Sequence, residues 1–280
     1  MYDPMRIGFH VSISGSVDRS VDRAKELGCT TFQIFTRSPR NWASREIGQV
    51  EAEAFKAKLS ASGIEPVFAH MPYLLNLASP DTTTYRRSVS SLKEELRRCR
   101  LLQVPYIVTH LGSHLGSSPR RGRVRVIRAL RTVLSDSDET MVLLENGSGS
   151  GNQIGSGLEE IRAILDDVEL PRIGCCFDTC HAFAAGYELR TSDGLGETLD
   201  EIDRSIGLDR IRLVHLNDSV GSLGSGVDRH EHIGLGSIGE EGFRLILHSE
   251  IACKPMVMET PVDERRDDKE NMRKALELAV

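Results

Sequence analysis

The chain reads as a (β/α)8 barrel, a TIM barrel that forms a single domain over residues 1–280. Three observations predict it. Eight short apolar runs of strand length recur along the whole chain. Amphipathic helical patterns lie between them. The runs are continuous rather than alternating, as strands covered on both faces should be. The main alternative, a doubly wound sheet, usually carries a GxGxxG phosphate loop after its first strand, and none is present.

The strands are expected at RIGFH ending at His10, TTFQIFT ending at Thr36, EPVFAH ending at His70 and PYIVTH ending at His110. Four more are expected at MVLLEN through Glu145, RIGCCFD ending at Asp178, IRLVHLND through His215 and PMVMET through Glu259. Each is rich in Val, Ile, Phe or Leu. Helices are expected over 16–28 with Gly28 as its stop, 82–102 capped by Asp81, 122–134, 157–167 and 267–280. In 122–134, Val124, Ile127, Leu130, Val133 and Leu134 would share one face.

Composition is ordinary for a globular protein, with 39% hydrophobic and 27% charged residues. No apolar run is long enough to cross a membrane, and no secretory signal opens the chain. The six cysteines include no CxxC pair, so they read as small, reduced thiols of a cytoplasmic protein. Cys176 and Cys180 flank Asp178, yet a four-thiolate zinc site lacks its other members. The formal charge is -6, which taken alone argues against nucleic acid. The basic residues are skewed, with seven Lys and 28 Arg, and Arg suits bidentate contact with phosphate. The Arg-rich helix at 120–131 is expected to be a solvated outer face, away from the barrel mouth.

The strand ends carry the chemistry. Seven of the eight runs finish at or near a His, Asp or Glu. In a barrel all the carboxyl ends open on one face, so His70, His110, Glu145, Asp178, His215 and Glu259 should converge. FDTCH adds His181 and VDRH adds Asp228 and His230. Imidazole with carboxylate suits Zn, Mn or Fe more than Ca or Mg. Nine donors exceed one tetrahedral ion and suit two or three, with a bridging carboxylate. A single His at a strand end is more often a hydrogen-bonded core residue than a ligand. His10 is assigned such a structural or supporting role. His114, His232 and His248 are expected to be solvated. Loop residues Arg37, Arg40 and Trp42, and then Tyr73 and Leu74, could stack on bases or wedge into a duplex. Loop packing explains Trp42 and Tyr73 equally well on residue type alone.

The segments HMPYLLNLA (70–78), CCFDTCHAFAAGYELRT (175–191) and HLNDSVGSLGSGVDRH (215–230) resemble the signature segments of endonuclease IV, the family-2 apurinic/apyrimidinic (AP) endonucleases of base-excision repair. THLGSH (109–114) and LLEN (143–146) fit as well, and the similarity runs over nearly the whole chain. The resemblance implies a TIM barrel with three zinc ions, manganese being able to take one position. It gives the first ion His70, His110 and Glu145. The second takes Glu145 as a bridge with Asp178, His215 and Glu259. The third takes His181, Asp228 and His230. It implies hydrolysis of the phosphodiester 5′ to an abasic site in duplex DNA, a deoxyribonuclease IV-type activity, with trimming of 3′-blocking groups. A metal-bridging hydroxide would be the nucleophile, and Glu145 or Glu259 would orient it as the catalytic carboxylate. Arg40, Tyr73, Leu74 and Arg229 would contact the DNA. It also implies a monomer in the cytoplasm, on the nucleoid when bound to DNA. Val220 and Leu75 depart from the family's usual residues, and neither is a ligand. Three zinc ions would offset the charge of -6, leaving a local positive mouth and modest affinity for undamaged DNA. Two rivals stand beside this reading. A sugar isomerase or epimerase would need only Glu145, Asp178, His215 and Glu259, and a non-catalytic lesion-binding protein would be expected to have lost a ligand.

Overall fold

A computed structural model describes residues 5–43, 45–134 and 139–280. The strands follow the apolar runs. They are β1 (Ile7–Phe9), β2 (Phe32–Phe35), β3 (Val67–His70), β4 (Tyr106–Thr109), β5 (Met141–Glu145), β6 (Ile173–Asp178) and β7 (Ile211–His215). Two short strands, β8 (Asp218–Ser219) and β9 (His230–Glu231), form an antiparallel ribbon, and β10 (Met256–Met258) completes the barrel. The eight barrel strands are all parallel, in the order β1-β10-β7-β6-β5-β4-β3-β2. The sheet closes where His10 pairs in parallel with Gln33 and the Val11 N–H donates to the Gln33 carbonyl at 2.8 Å. β1 approaches β2 so closely that a Cβ on Gly8 would lie 1.7 Å from the Thr31 carbonyl oxygen. Only glycine fits there.

The helices are α1 (Arg19–Glu26), α2 (Gln49–Ser62), α3 (Thr82–Leu102), α4 (Pro119–Leu134), α5 (Leu158–Val168), α6 (Thr179–Ala185), α7 (Ser192–Ser205), α8 (Gly239–Leu247) and α9 (Asp268–Leu278). The five expected helices correspond to α1, α3, α4, α5 and α9. The Asp81 carboxylate caps α3 by accepting from the Thr84 N–H at 2.7 Å. α9 opens with a capping box between Asp267 and Glu270. α1 starts later than expected, at Arg19. Four helices lacked a strong sequence signal for physical reasons. α2 buries only Ala52 and Phe55 among its apolar residues, and α7 has Gly194 and Gly196 in its first turns. α6 is a seven-residue turn off β6, and α8 is nine residues long. No helix among the described residues is long and apolar enough to cross a membrane.

Outside the sheet, the helices pack an apolar layer built from residues such as Phe32, Phe55, Leu96, Leu130, Ile164 and Phe243. One polar cluster interrupts it. Glu95 is fully buried and accepts from Arg37 Nε at 2.5 Å and from Thr36 Oγ1 at 2.5 Å. Arg98, also buried, donates to Thr36 Oγ1 at 2.8 Å and to the Arg45 carbonyl at 2.9 Å. Arg37 further donates to the Trp42 carbonyl at 2.7 Å. Arg37 is therefore the inner anchor of the loop after β2, not a guanidinium offered at the mouth. Glu95→Ala would leave two arginines buried without their carboxylate. The expected loss is about 3–5 kcal/mol of stability, measured as a lower denaturant midpoint.

Candidate metal centre

The barrel interior holds an apolar plug made of Phe68, Val108, Leu143, Cys176, Leu213 and Val257, one residue from each of six strands. Side chains alternate along a strand, so two residues further on the chain points the same way. Those residues are His70, His110, Glu145, Asp178, His215 and Glu259. The polar layer thus lies directly above the apolar one, at the carboxyl end of the barrel.

Three sets of donor atoms form there, each with its members within 4.8 Å of one another. They are His70, His110 and Glu145; Glu145, Asp178, His215 and Glu259; and Asp178, His181 and His230. Glu145 belongs to two sets. Its Oε2 lies 3.1 Å from His70 Nε2 and 3.5 Å from His110 Nε2, and its Oε1 lies 2.9 Å from His215 Nδ1. Asp178 also belongs to two, and it caps α6 by accepting from the His181 N–H at 2.7 Å. This is the reason for the FDTCH spacing: one carboxylate oxygen starts the helix and the other faces the centre. Asp228 stands at the outer edge, with Oδ1 2.9 Å from His181 Nε2.

Hydrogen bonds to the outer ring nitrogens orient the imidazoles. The Met71 carbonyl lies 2.7 Å from His70 Nδ1, the Asn146 carbonyl 3.0 Å from His181 Nδ1, and the Glu259 carbonyl 3.1 Å from His230 Nδ1. Gln33 Oε1 lies 3.0 Å from His215 Nε2. A carbonyl can only accept, so each outer nitrogen carries the proton and the inner one presents a lone pair. His230 Nε2 is the clearest case. It is buried with no hydrogen-bond partner and lies 3.7 Å from Asp178 Oδ2. A lone pair left in that position among carboxylates fits a divalent metal.

The electrostatics agree. Burial alone would raise the Glu145 carboxyl, but His110, His215 and His70 reverse this and hold it well below the usual carboxylate range. Glu259 behaves likewise through His215, His10 and His70. Burial opposes charge on His181, yet Asp178, Asp228 and Glu145 outweigh it and raise the imidazole to about 10, so a bound metal would displace a proton from its inner nitrogen. The site is built to surround positive charge with carboxylate.

Comparison with known proteins agrees with this geometry. A model of the xylose isomerase-like TIM barrel family matches residues 21–279. A probable endonuclease 4 from Methanoculleus marisnigri is 54% identical, the match covering 98% of each chain. The crystal structure of endonuclease IV from Thermus thermophilus superposes with a TM-score of 0.87 at 40% identity, covering 98% of each chain. The chain belongs to the endonuclease IV family. A D-tagatose 3-epimerase-like protein superposes with a TM-score of 0.73 at 20% identity over 98% of each chain, a likeness of fold alone.

Around the centre of this endonuclease IV family member, the loops form an open mouth. A cavity of about 330 Å³ is lined by Met71, Tyr73, Leu74, Asn76, His110, Gln153 and Asp228. Tyr73 is 63% exposed and its ring meets Phe35 edge-on at 5.1 Å. Phe35 in turn lies 5.6 Å from the His70 ring. Arg40 and Arg229 are exposed, and Leu74 borders the same cavity. Val220 is exposed and donates its N–H to the Arg229 carbonyl at 3.0 Å.

Two expectations are corrected. His232 is fully buried, not solvated: its Nε2 is 3.0 Å from Asp263 Oδ1 and its Nδ1 is 2.9 Å from Asn271 Nδ2. It ties the ribbon that carries His230 to α9. His114 is buried as well, against Gly122 of α4. His248 is exposed as expected. Five of the six cysteines are buried and all six are free thiols.

Three supporting residues went unread in the sequence. Gln33 is buried on β2 and donates to Glu259 Oε1 at 2.7 Å while accepting from His215. The signal was a lone amide inside the apolar run FQIF. Asn217 donates to Asp178 Oδ2 at 2.8 Å and accepts from the Glu259 N–H at 2.8 Å. Asp218 accepts from the backbone N–H groups of Ser219, Gly234, Gly236, Ile238 and Gly239 at 2.8–3.3 Å. A Cβ on Gly236 would lie 2.5 Å from that carboxylate, so the loop needs glycine.

Gln33→Ala is expected to weaken metal retention about 10–100-fold, measured by titration with a competing chelator. Asp218→Ala strips the acceptor from five backbone donors. A loss on the order of 3 kcal/mol or more is expected, together with faster hydrogen exchange over residues 230–239.

Proposed function

We propose that the protein is a zinc-dependent repair endonuclease that cuts duplex DNA on the 5′ side of abasic sites, leaving a 3′-hydroxyl and a 5′ deoxyribose phosphate. Trimming of 3′-blocking groups belongs to the same reading. The observation that carries it is the convergence of eight donor side chains in three overlapping sets, with Asp228 against His181 at their edge, beneath an open mouth in a member of the endonuclease IV family. Three zinc ions suit the sets: His70, His110 and Glu145 for one, Glu145, Asp178, His215 and Glu259 for the next, and His181, Asp228 and His230, beside Asp178, for the third. When bound, such ions lower the pKa of water and neutralise charge on a phosphoryl group.

The protein's own groups divide the remaining work. Both Glu145 oxygens are engaged by imidazoles. Glu259 is different. Its Oε1 is held by Gln33 Nε2 at 2.7 Å and His10 Nδ1 at 3.1 Å, while Oε2 faces the centre 3.6 Å from His215 Nδ1. In this reading Glu259 Oε2 orients the attacking water. Arg40, Tyr73, Leu74 and Arg229 line the approach and hold the strand. No base is stacked at an abasic site, so turning that nucleotide into the mouth costs little.

The test is a labelled duplex with one uncleaved abasic analogue and protein of measured zinc content. A single cut on the 5′ side is expected, surviving brief exposure to EDTA and lost after prolonged chelation. Absence of any cut by fully loaded protein overturns the reading. Glu259→Gln should lower the incision rate by at least about 100-fold while leaving DNA binding in a gel-shift assay unchanged.

A further inference from the structure

Two helices beside the mouth carry a charge pattern that neither the barrel nor the metal centre explains. Residues 82–93, in the first half of α3, and all of α4 together hold nine basic side chains and no acidic one. An α-helix advances by 100° per residue, so Arg120, Arg121, Arg128 and Arg131 of α4 project within an arc of roughly 100°. All four are exposed. Val124, expected on the buried face with Ile127 and Leu130, lies instead in the same arc and is 46% exposed, so none of the described residues covers this face. Arg86 and Arg87 of α3 are exposed beside it. Arg120, Arg121 and Arg128 pair with no carboxylate among the described residues.

Fold stability does not account for this arrangement. The first turn of α4 contains arginines and no acid, against the preference set by the helix dipole. Arg128 and Arg131, three apart, repel each other across one turn. Acidic residues return on α5, at Glu159, Glu160, Asp166 and Asp167, so the basic face has a definite edge. It is also continuous with the mouth. The Arg87 guanidinium lies over the Trp42 ring, 5.9 Å from its centroid, in the loop that carries Arg40. Arg125 donates to the Ala78 carbonyl at 3.2 Å, fixing α4 to the segment that follows Tyr73.

We propose that the α3–α4 face is a docking surface for the sugar–phosphate backbone of undamaged duplex DNA, separate from the mouth that receives the lesion. The choice of occupant rests on the proposed function. Guanidinium is the planar, bidentate partner of phosphate. From Arg120 to Arg131 the helix rises about 16 Å at 1.5 Å per residue. That matches roughly five steps of duplex at 3.4 Å each. The face offers no aromatic ring to stack on bases, so it reads backbone and not sequence. The overall charge of -6 conceals it, because the acids lie elsewhere.

The experiment uses full-length, zinc-loaded protein and the variant R120Q/R121Q/R128Q/R131Q. Two probes are compared by fluorescence anisotropy: a lesion-free duplex several times longer than the arginine row, and a short abasic duplex that covers only the mouth. The variant should bind the long, lesion-free duplex at least tenfold more weakly. The slope of log K against log salt should fall in magnitude by about 3.6, each of the four lost phosphate contacts contributing about 0.9. Incision of the short duplex should be unchanged, and the matching Arg→Lys variant should restore most of the binding. Zinc content, measured alongside, should match the wild type, and the thermal midpoint should fall only slightly, since all four side chains are exposed and Arg131 gives up one bond to the fold, to the Asp167 carbonyl.

Equal affinity and equal salt slope in wild type and variant overturn the proposal. So does an equal loss on the short abasic duplex, which would assign these arginines to the mouth. Loss of binding to phosphatidylglycerol vesicles with DNA binding intact overturns it in favour of a lipid surface. A wild type that fails to incise overturns the nuclease reading, yet the lesion-free comparison still decides this one.

Discussion

The two-residue alternation of a parallel strand is the constraint on which the rest of this structure depends. Closing eight strands into a barrel forces every second side chain toward the axis. Phe68, Val108, Leu143, Cys176, Leu213 and Val257 fill one level and exclude water from below. The next inward level, two residues later, can then be polar because it opens to the mouth. A slip of one residue in any strand would turn its ligand outward into the helical layer. The ligands are therefore fixed by sheet register, and register is fixed by the helices that bury the opposite faces of the same strands.

That geometry creates an electrostatic demand. Glu145, Asp178 and Glu259 are drawn together from three strands where few waters can reach them. Carboxylates so close need compensating positive charge. Neutral imidazoles do not supply it: their outer nitrogens are tied to carbonyls that leave the inner lone pairs pointing at the same place, where a bound cation would meet the demand. Gln33, Asn217 and the Asp218-centred loop fix those carboxylates and carbonyls in turn. The polar layer is thus held by two neutral amides, by backbone groups and by one carboxylate, Asp218, that faces backbone N–H donors and not the centre.

The strand segments were legible because a buried parallel strand is a compact apolar run, and all eight barrel strands carry one. The donors were legible because they end those runs. Gln33 was not, since one amide in an apolar strand has no meaning until closure brings β2 beside β1 and its side chain within reach of Glu259, just past β10. Asp218 escaped for a related reason. Its partners are backbone N–H groups, which leave no mark in a sequence beyond the glycines of HIGLGSIG. His232 was misread because the groups that bury and bind it, Asp263 and Asn271, lie 31 and 39 residues further along the chain. α2 lacked a clear periodicity because few of its residues reach the core, and the buried stripe of α7, Leu195, Thr198, Ile202 and Ser205, was masked by two polar members and by Gly194 and Gly196.

Net charge is the least informative number that this chain offers, and its distribution explains why. Acidic residues sit at the centre, where cations can neutralise them, and over helices such as α5. The arginines of α4 face solvent with no acid on their own helix. A phosphate backbone responds to the field within about a Debye length of its path, roughly 8–10 Å, and not to the total. A protein with an acidic sum can therefore present two positive surfaces, one made by any cations that the clustered donors hold and one made by side chains alone. Only the second is independent of metal loading, so chelation separates them: it should abolish what the mouth does and leave the arginine face as it was.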